Sequence, residues 1–182
     1  LFDACAQAGV QRVVHISALG IDGSNTRYAQ TKRAAEAHLQ TLATQAKLRP
    51  AILRPSVVYG KGGDSSALFM NLARLPLALF PGPMLTARVQ PVSVHDLAAA
   101  VVALLGPALE HTGTIECTGP EALTMGAFIA SLRQQLGHSP ATVLRLPQPL
   151  TTLSARLGDA VPQSPWCSET LAMLGSDNVG NP

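Results

Sequence analysis

A tyrosine and a lysine stand four positions apart in the segment Tyr28-Ala29-Gln30-Thr31-Lys32. Residues 27–46 around them contain no glycine or proline and are rich in alanine, glutamine and leucine, so they predict a long helix. Four residues are close to one helical turn, which places the phenol and the ammonium on one face. A nearby cation favours the ionised form of a phenol, which titrates at about 10 in water. The pair therefore has the chemistry of a proton donor or acceptor.

Ser17 is the third candidate for chemistry. Residues 12–17 form a short β-branched run that predicts a strand of a parallel sheet covered on both faces. Ligand crevices in such sheets form outside the carboxyl ends of the strands. Ser17 could there donate to a carbonyl oxygen while Tyr28 passes it a proton and Lys32 keeps the phenol acidic. A nicotinamide could then deliver a hydride to the adjacent carbon.

Each of these residues also has a purely structural interpretation. Tyr28 and Lys32 could form an exposed helix pair worth a few tenths of a kcal/mol. Ser17 could cap or turn the chain, and Pro55 could simply end a strand. For His15, a packing role in a core strand is favoured over a ligand role.

The order of elements predicts an α/β fold. A helix end at residues 1–8, the strand at 12–17, a loop at 18–26, the helix at 27–46 and a strand at 51–55 alternate as in a parallel sheet with crossover helices. The remaining predictions are a loop at 61–66, a helix at 67–75, a proline-rich turn at 75–83, a partial strand at 88–94, a helix at 96–105 capped by Ser93 together with Asp96, a strand at 114–118, a helix at 125–136, a strand at 142–146, a short helix at 151–157 and a loose tail at 176–182.

Composition excludes several function classes. The 182 residues carry 13 basic and 11 acidic side chains, so no basic stripe favours nucleic acid as a partner. Three widely spaced cysteines predict neither a disulfide framework nor a metal site and are typical of a reducing cytoplasm. No apolar stretch is long enough for a membrane span, and no signal peptide is visible. We expect the natural N-terminus to lie upstream of Leu1, since residues 1–8 already have a helical pattern.

Four motifs in this order resemble a known family. They are Val-Val-His-Ile-Ser at 13–17, Tyr-x-x-x-Lys at 28–32, Leu-Arg-Pro-Ser-x-x-Tyr-Gly at 53–60 and Val-x-Val-His-Asp at 92–96. The sequence resembles extended and atypical short-chain dehydrogenases/reductases, the NAD-dependent epimerase/dehydratase family, over about residues 1–106. Two features, the short spacing from Ser17 to Tyr28 and the segment Val-Gln-Pro-Val-Ser-Val-His-Asp at 89–96, are most similar to the branch that includes the NAD(P)H-binding accessory subunit of respiratory complex I.

The resemblance implies roles for individual residues. Tyr28 would be the catalytic acid/base, Lys32 its partner and a ligand of the nicotinamide ribose, and Ser17 the donor to the substrate carbonyl. All three would contact NAD or NADP, and three residues after the second strand would border the nicotinamide: Pro55, Ser56 and Val57. The implied fold is the C-terminal part of a Rossmann-type doubly wound parallel sheet with a small α+β substrate lobe.

The resemblance also implies a domain division. Residues 1–60 would form the C-terminal half of the NAD(P)-binding domain, and residues 61–182 the substrate lobe, with 93–118 returning to the core and a poorly defined tail from about 165. The glycine-rich pyrophosphate motif is not in this sequence, which we interpret as a fragment, and Lys61-Gly62-Gly63 lacks the strand-to-helix spacing to replace it.

Two functions remain open at this point. One is an NAD(P)-dependent oxidoreductase or epimerase-like enzyme acting on a small carbonyl or hydroxyl substrate. The other is a non-catalytic NAD(P)H-binding subunit or redox sensor, associated with a larger complex.

Overall fold

The computed structural model describes residues 1–45, 47–106, 111–161, 164 and 166–180. Its helices are α1 Phe2–Gln7, α2 Arg27–Thr44, α3 Asp64–Arg74, α4 Gly82–Thr86, α5 Val94–Leu105, α6 Met125–Gln135, α7 Gln148–Asp159 and α8 Ser168–Met173. Its strands are β1 Arg12–Ile16, β2 Arg49–Pro55, β3 Val58–Tyr59, β4 Leu77–Pro81, β5 Arg88–Val89, β6 Val92–Ser93, β7 Gly113–Cys117, β8 Leu123–Thr124 and β9 Thr142–Leu146.

The main sheet is parallel and has the order β1-β2-β7. The central strand β2 is an almost continuous apolar run because helices cover both of its faces. On one face, Ala51 and Leu53 pack against α5. On the other face, Leu39 of α2 packs in a cluster with Val13 of β1. The predicted α/β fold of Rossmann type is confirmed.

Helix α2 begins where the sequence predicts. Thr26 caps it by accepting a hydrogen bond of 3.2 Å from the Ala29 amide. The helix ends at Thr44, two residues before the predicted end, and Ala46 lies outside the described residues. The loop before α2 is held from within the helix, because the Arg33 guanidinium donates to the Ile21 and Ser24 carbonyls.

A second lobe is built on the parallel pair β4-β9, with α3, α4 and α6 against it. The prediction of a proline-rich turn at 75–83 is wrong, since β4 lies within it. Ala78 and Phe80 of β4 are buried while Leu77 and Leu79 are exposed, which is the alternation of a strand. A strand paired on one edge tolerates a proline at its end, as at Pro81. Because prolines favour a turn in the sequence pattern, this strand was not predicted. The predicted loop at 61–66 is also too long, because α3 already begins at residue 64.

The predicted strand at 88–94 is divided into β5, antiparallel to β8, and β6, parallel to β3. Pro91 lies between them, and its carbonyl approaches Gly119 so closely that a Cβ on Gly119 would lie 1.9 Å from it. Ser93 caps α5 as predicted, but through a 3.1 Å bond to the His95 amide rather than through Asp96.

The prediction of a loose tail from residue 176 is wrong for residues 176–180. Asn178 donates from its amide nitrogen to the Arg88 carbonyl at 2.7 Å and from its side chain to the Leu19 carbonyl at 2.8 Å. The Gly180 amide donates to the Gln90 side chain at 3.2 Å. These hydrogen bonds join residues that are far apart in the sequence. Such contacts leave no periodic pattern, so the sequence did not predict them.

Helices α7 and α8 also differ from the sequence prediction. Helix α7 is longer than the predicted residues 151–157, and α8 lies in the region expected to be poorly defined. None of the described helices is long and apolar enough to cross a membrane. The described histidines, cysteines and acidic residues form no group that could hold a metal ion.

The core between α1, α2 and the main sheet depends on Leu39, which is fully buried. Replacing Leu39 by alanine should lower the free energy of unfolding by about 2–5 kcal/mol, because it removes buried methyl groups and leaves a cavity. Urea denaturation of Leu39→Ala and of the control Leu157→Ala measures this. Leu157 is 64% exposed, so its variant should change by no more than about 0.5 kcal/mol. Equal losses in the two variants would contradict the packing described.

Candidate active site

The carboxyl ends of the three parallel strands bring the candidate residues to one edge of the sheet. Ser17 directly follows β1, and its amide donates to the Leu53 carbonyl of β2 at 2.7 Å. Ser56 directly follows β2, and its amide donates to the Cys117 carbonyl of β7 at 3.0 Å. The two serines therefore continue the strand pairing past the ends of β1 and β2, at the edge where ligands bind to sheets of this type.

Tyr28 and Lys32 lie together on α2, beside the end of β1. The Lys32 Nζ is 5.6 Å from the centroid of the Tyr28 ring. The same ammonium donates to the Ile16 carbonyl at 2.8 Å. Because Ile16 precedes Ser17, the structure brings Lys32 next to the strand end that carries the candidate hydroxyl.

The Tyr28 phenol is protonated at neutral pH. Burial raises the pKa of Tyr28 above its ordinary value. Burial therefore outweighs the lowering of this pKa that we expect from the Lys32 ammonium, and the net shift is upward. The Lys32 ammonium donates one hydrogen bond to the Ile16 carbonyl. The loss of water around the Tyr28 phenol disfavours its charged form, the phenolate. A protonated phenol can donate a proton to a substrate oxygen.

Ser17 points into the protein. It is 2% exposed, and among the described residues its hydroxyl has no hydrogen bond of normal geometry. The hydroxyl is still close enough to the Glu36 carboxylate to contribute to lowering the pKa of that group. Within the described part of the chain, the structure therefore does not join the Ser17 hydroxyl to Tyr28 by a hydrogen bond.

Arg54, Glu36 and Asp22 form an ion-pair network that was not predicted from the sequence. The Arg54 guanidinium makes a bidentate contact with Glu36, Nε to Oε1 at 2.9 Å and Nη2 to Oε2 at 2.6 Å. Its Nη1 also donates to Asp22 at 2.6 Å. Glu36 is 4% exposed, so its charge requires this partner. Two signals could have revealed the network: Glu36 continues the four-residue spacing of Tyr28 and Lys32, and an arginine in a buried strand needs a carboxylate.

Arg54 determines the charge state of Glu36. Burial alone would raise the pKa of Glu36, but the hydrogen bonds and the charge of Arg54 outweigh it and hold that pKa below its ordinary value. In return, the hydrogen bonds with Glu36 raise the pKa of Arg54. The pair is therefore ionised at neutral pH.

The three residues expected to border a nicotinamide are largely engaged within the protein. Pro55 is buried, and its carbonyl accepts from the Leu19 amide at 2.9 Å. The Ser56 hydroxyl donates to the Asn178 carbonyl at 2.8 Å and accepts from the Gln90 amide at 3.1 Å. Val57 packs against the core of the second lobe. The structure places all three at the expected edge, and their contact with a cofactor stays a prediction.

The parallel sheet, with helices on both faces and polar residues at its carboxyl edge, is of the Rossmann type. Residues 1–115 match the model of the NAD dependent epimerase/dehydratase family. The chain belongs to this family. The more specific resemblance to the branch with the complex I accessory subunit stays a prediction. A comparison with curated protein sequences found no match.

Solved structures share this fold. UDP-glucose 4-epimerase from Thermus thermophilus, in complex with NAD, matches with a TM-score of 0.63 and 22% identity over 82% of this chain and 56% of that chain. UDP-N-acetylglucosamine 4-epimerase from Methanobrevibacter ruminantium has a TM-score of 0.65 and 17% identity over 80% of this chain and 53% of that chain. The dTDP-glucose 4,6-dehydratase DesIV from Streptomyces venezuelae has a TM-score of 0.63 and 21% identity over 80% of this chain and 50% of that chain. The chain thus spans about half the length of the structures that it matches.

The buried ion pair should control stability at acid pH. Glu36→Gln leaves Arg54 without one of its carboxylates and should lower the free energy of unfolding by about 3–5 kcal/mol at pH 7. Because the folded-state pKa of Glu36 lies below its unfolded value, the stability that the carboxylate contributes is fully present above the unfolded pKa of about 4.3. That contribution is lost as the pH falls through the folded pKa. The difference between wild type and variant should therefore shrink below about pH 4.3.

Urea denaturation between neutral and acid pH measures this difference. Asp3→Asn is the control, since the Asp3 side chain is 64% exposed in its pair with His38 and its loss should cost about 0–1 kcal/mol. A Glu36→Gln difference that stays constant into the acid range would show that Arg54 does not hold the carboxylate.

Proposed function

We propose that this chain contributes the proton-transfer residues of an NAD(P)-dependent oxidoreductase or epimerase-like enzyme, acting on a small carbonyl or hydroxyl compound. One observation carries the proposal. The Lys32 ammonium lies 5.6 Å from the Tyr28 ring and is bonded to the Ile16 carbonyl, directly before Ser17. The family to which the chain belongs and the NAD bound in the Thermus thermophilus epimerase support the choice of cofactor.

The residues present fit the nicotinamide ribose part of such a cofactor. An ammonium has three donors, and within the described part of the chain Lys32 uses one of them, on the Ile16 carbonyl. The others are free to bind ribose hydroxyls, next to the half-exposed Tyr28 phenol. Pro55, Ser56 and Val57 would border the ring. A bound nicotinamide would supply or accept a hydride.

The protein's own residues would then move the proton. The raised pKa of Tyr28 keeps the phenol protonated, so it can donate to an oxygen that gains charge during reduction. Lys32 stabilises the negative charge that develops on the phenol. Ser17 would orient the substrate carbonyl after its hydroxyl turns from the Glu36 side toward the sheet edge.

A second function, a non-catalytic NAD(P)H-binding subunit or sensor, is favoured by one specific observation. The Ser17 hydroxyl is buried and lies toward Glu36, whereas a carbonyl donor must face the substrate. In that case Tyr28 and Lys32 would hold the ribose, and no substrate would be converted.

Replacement of Tyr28 distinguishes the two functions. Tyr28→Phe should lower turnover by about 10²–10⁴-fold, because the proton donor is lost. Its affinity for the nucleotide should stay within a few-fold, because Lys32 and the ring remain. Tyr59→Phe is a matched control, since Tyr59 is the other of the two tyrosines and is 37% exposed against 38% for Tyr28.

Both quantities are measured on the full-length protein, because the glycine-rich pyrophosphate motif is not in the present sequence and we expect these 182 residues alone to bind the dinucleotide weakly or not at all. Turnover is followed on a panel of carbonyl compounds with NADH and NADPH, and affinity by calorimetry. Equal activity of Tyr28→Phe and wild type would contradict the catalytic role. Nucleotide binding by a wild-type protein that converts none of the panel would establish the non-catalytic function. Absence of both binding and turnover in the full-length protein would reject the two functions together.

A further inference from the structure

A cavity of about 550 Å³ lies in the second lobe, between α6 and the β4-β9 sheet. This volume lies within the range of small-molecule sites in proteins, which is about 300–1,000 Å³. Most of its wall is apolar and includes Leu72, Ala78, Phe80, Ile129, Ala130 and Val143. The cavity therefore has the size and the lining for an apolar molecule.

The cavity is separate from the candidate active site. Phe128 of α6 packs edge-on against Tyr59, with ring centroids 5.6 Å apart, on the side where β3 continues from the end of β2. Gly126 and Ala130 line the cavity. Each is two residues from Phe128, which places them on the opposite side of the helix. Helix α6 thus stands between the cavity and Tyr59, and none of the described residues that line the cavity belongs to the candidate active site.

Arg133 provides a buried cation in the cavity wall. The residue is 6% exposed. Its Nη1 donates to the Ala73 and Leu75 carbonyls at 2.9 and 3.0 Å, and its Nε donates to the Ser139 carbonyl. Within the described part of the chain, its Nη2 makes no hydrogen bond.

The charge of Arg133 is only partly balanced. Its acceptors Ala73 and Leu75 lie at the C-terminal end of α3, which carries about half a negative charge. Among the described residues that line the cavity, none is an aspartate or glutamate. An apolar wall beside a guanidinium whose Nη2 has no partner in the described part of the chain favours an anion, because a carboxylate can accept a charge-assisted hydrogen bond from that donor.

We propose that this cavity is a second binding site and takes a monocarboxylate with an apolar body, its carboxylate bound to Nη2 of Arg133. The proposal goes beyond the proposed function and does not depend on it. Capping of α3 explains only the bonds of Arg133 to the Ala73 and Leu75 carbonyls, because the third acceptor, the Ser139 carbonyl, follows α6. None of these three bonds uses Nη2.

Calorimetry with octanoate and 3-phenylpropionate, an aliphatic and an aromatic member of this class, tests the proposal on the wild-type chain. At least one of them should bind with one-to-one stoichiometry. The neutral and cationic analogues octanol and octylamine, or 3-phenylpropanol and 3-phenylpropylamine, should bind at least about tenfold more weakly, since they cannot accept from the guanidinium as a carboxylate does.

A cavity-filling variant locates the site without removing the buried cation. Ala130 is exposed at the cavity, and Ala130→Leu should weaken carboxylate binding at least about tenfold while the protein stays folded. Ala37→Leu is the matched control, an exposed alanine on α2, and should bind as wild type does. Tyr28→Phe should also leave this binding unchanged, which separates the cavity from the nucleotide site.

Three results would overturn the proposal. The first is that neither carboxylate binds in a saturable way. The second is that the neutral or cationic analogues bind as tightly as the carboxylates. The third is that Ala130→Leu, shown to be folded by circular dichroism, retains wild-type affinity. Arg133→Lys adds a direct test, since it keeps the charge but loses the planar fork, and should lower the affinity for the carboxylate.

Discussion

The guanidinium of Arg54, near the carboxyl end of the central strand, holds two carboxylates from different parts of the chain. Glu36 belongs to α2 and Asp22 to the loop between β1 and α2. A buried arginine is stable only when its charge and its donors are satisfied, so the helix and the loop are both fixed with respect to β2. Since Glu36 lies one turn after Lys32 and two turns after Tyr28, this contact sets where the ammonium and the phenol are placed.

Polar contacts add a directional constraint on the register of α2 to that of its apolar contacts. The buried apolar residues Ala29, Leu39 and Leu42 fix which face of the helix meets the core. The bond from Lys32 to the Ile16 carbonyl requires one position. The bonds from Arg33 to the loop require the same position. Three contacts between a cation and oxygen atoms therefore position the candidate active site. They are those of Arg54 with Glu36, of Lys32 with the Ile16 carbonyl and of Arg33 with the loop before α2.

The parts of the structure that depend on local pattern could be predicted from the sequence. The alternation of strand, helix and strand up to residue 60 follows from β-branched runs and from a helix without glycine or proline, and the spacing of Tyr28 and Lys32 follows from the helical repeat. The direction of the Ser17 hydroxyl could not be predicted, because it depends on Glu36, which is far away in the sequence. Strand β4 could not be predicted because it ends in Pro81 and is flanked by Pro76 and Pro83, which favour a turn. The segment after α8 is held by bonds to residues that are distant in the sequence.

That last segment joins the two lobes at the edge of the candidate site. The Asn178 side chain donates to the Leu19 carbonyl and its carbonyl accepts from Ser56, both in the Rossmann-type part. Its backbone pairs with Val89 of β5, which belongs to the core of the second lobe, and its amide donates to the Arg88 carbonyl. The hydroxyl of Ser56 already donates to Asn178 and accepts from the Gln90 amide. It could reach a nicotinamide only by giving up the bond to Asn178, so a cofactor contact at this position would compete with the link between the lobes. Ser56 therefore contributes to a ligand site chiefly by fixing the backbone beside it, whereas Lys32 can bind a ligand without losing the contact that positions it.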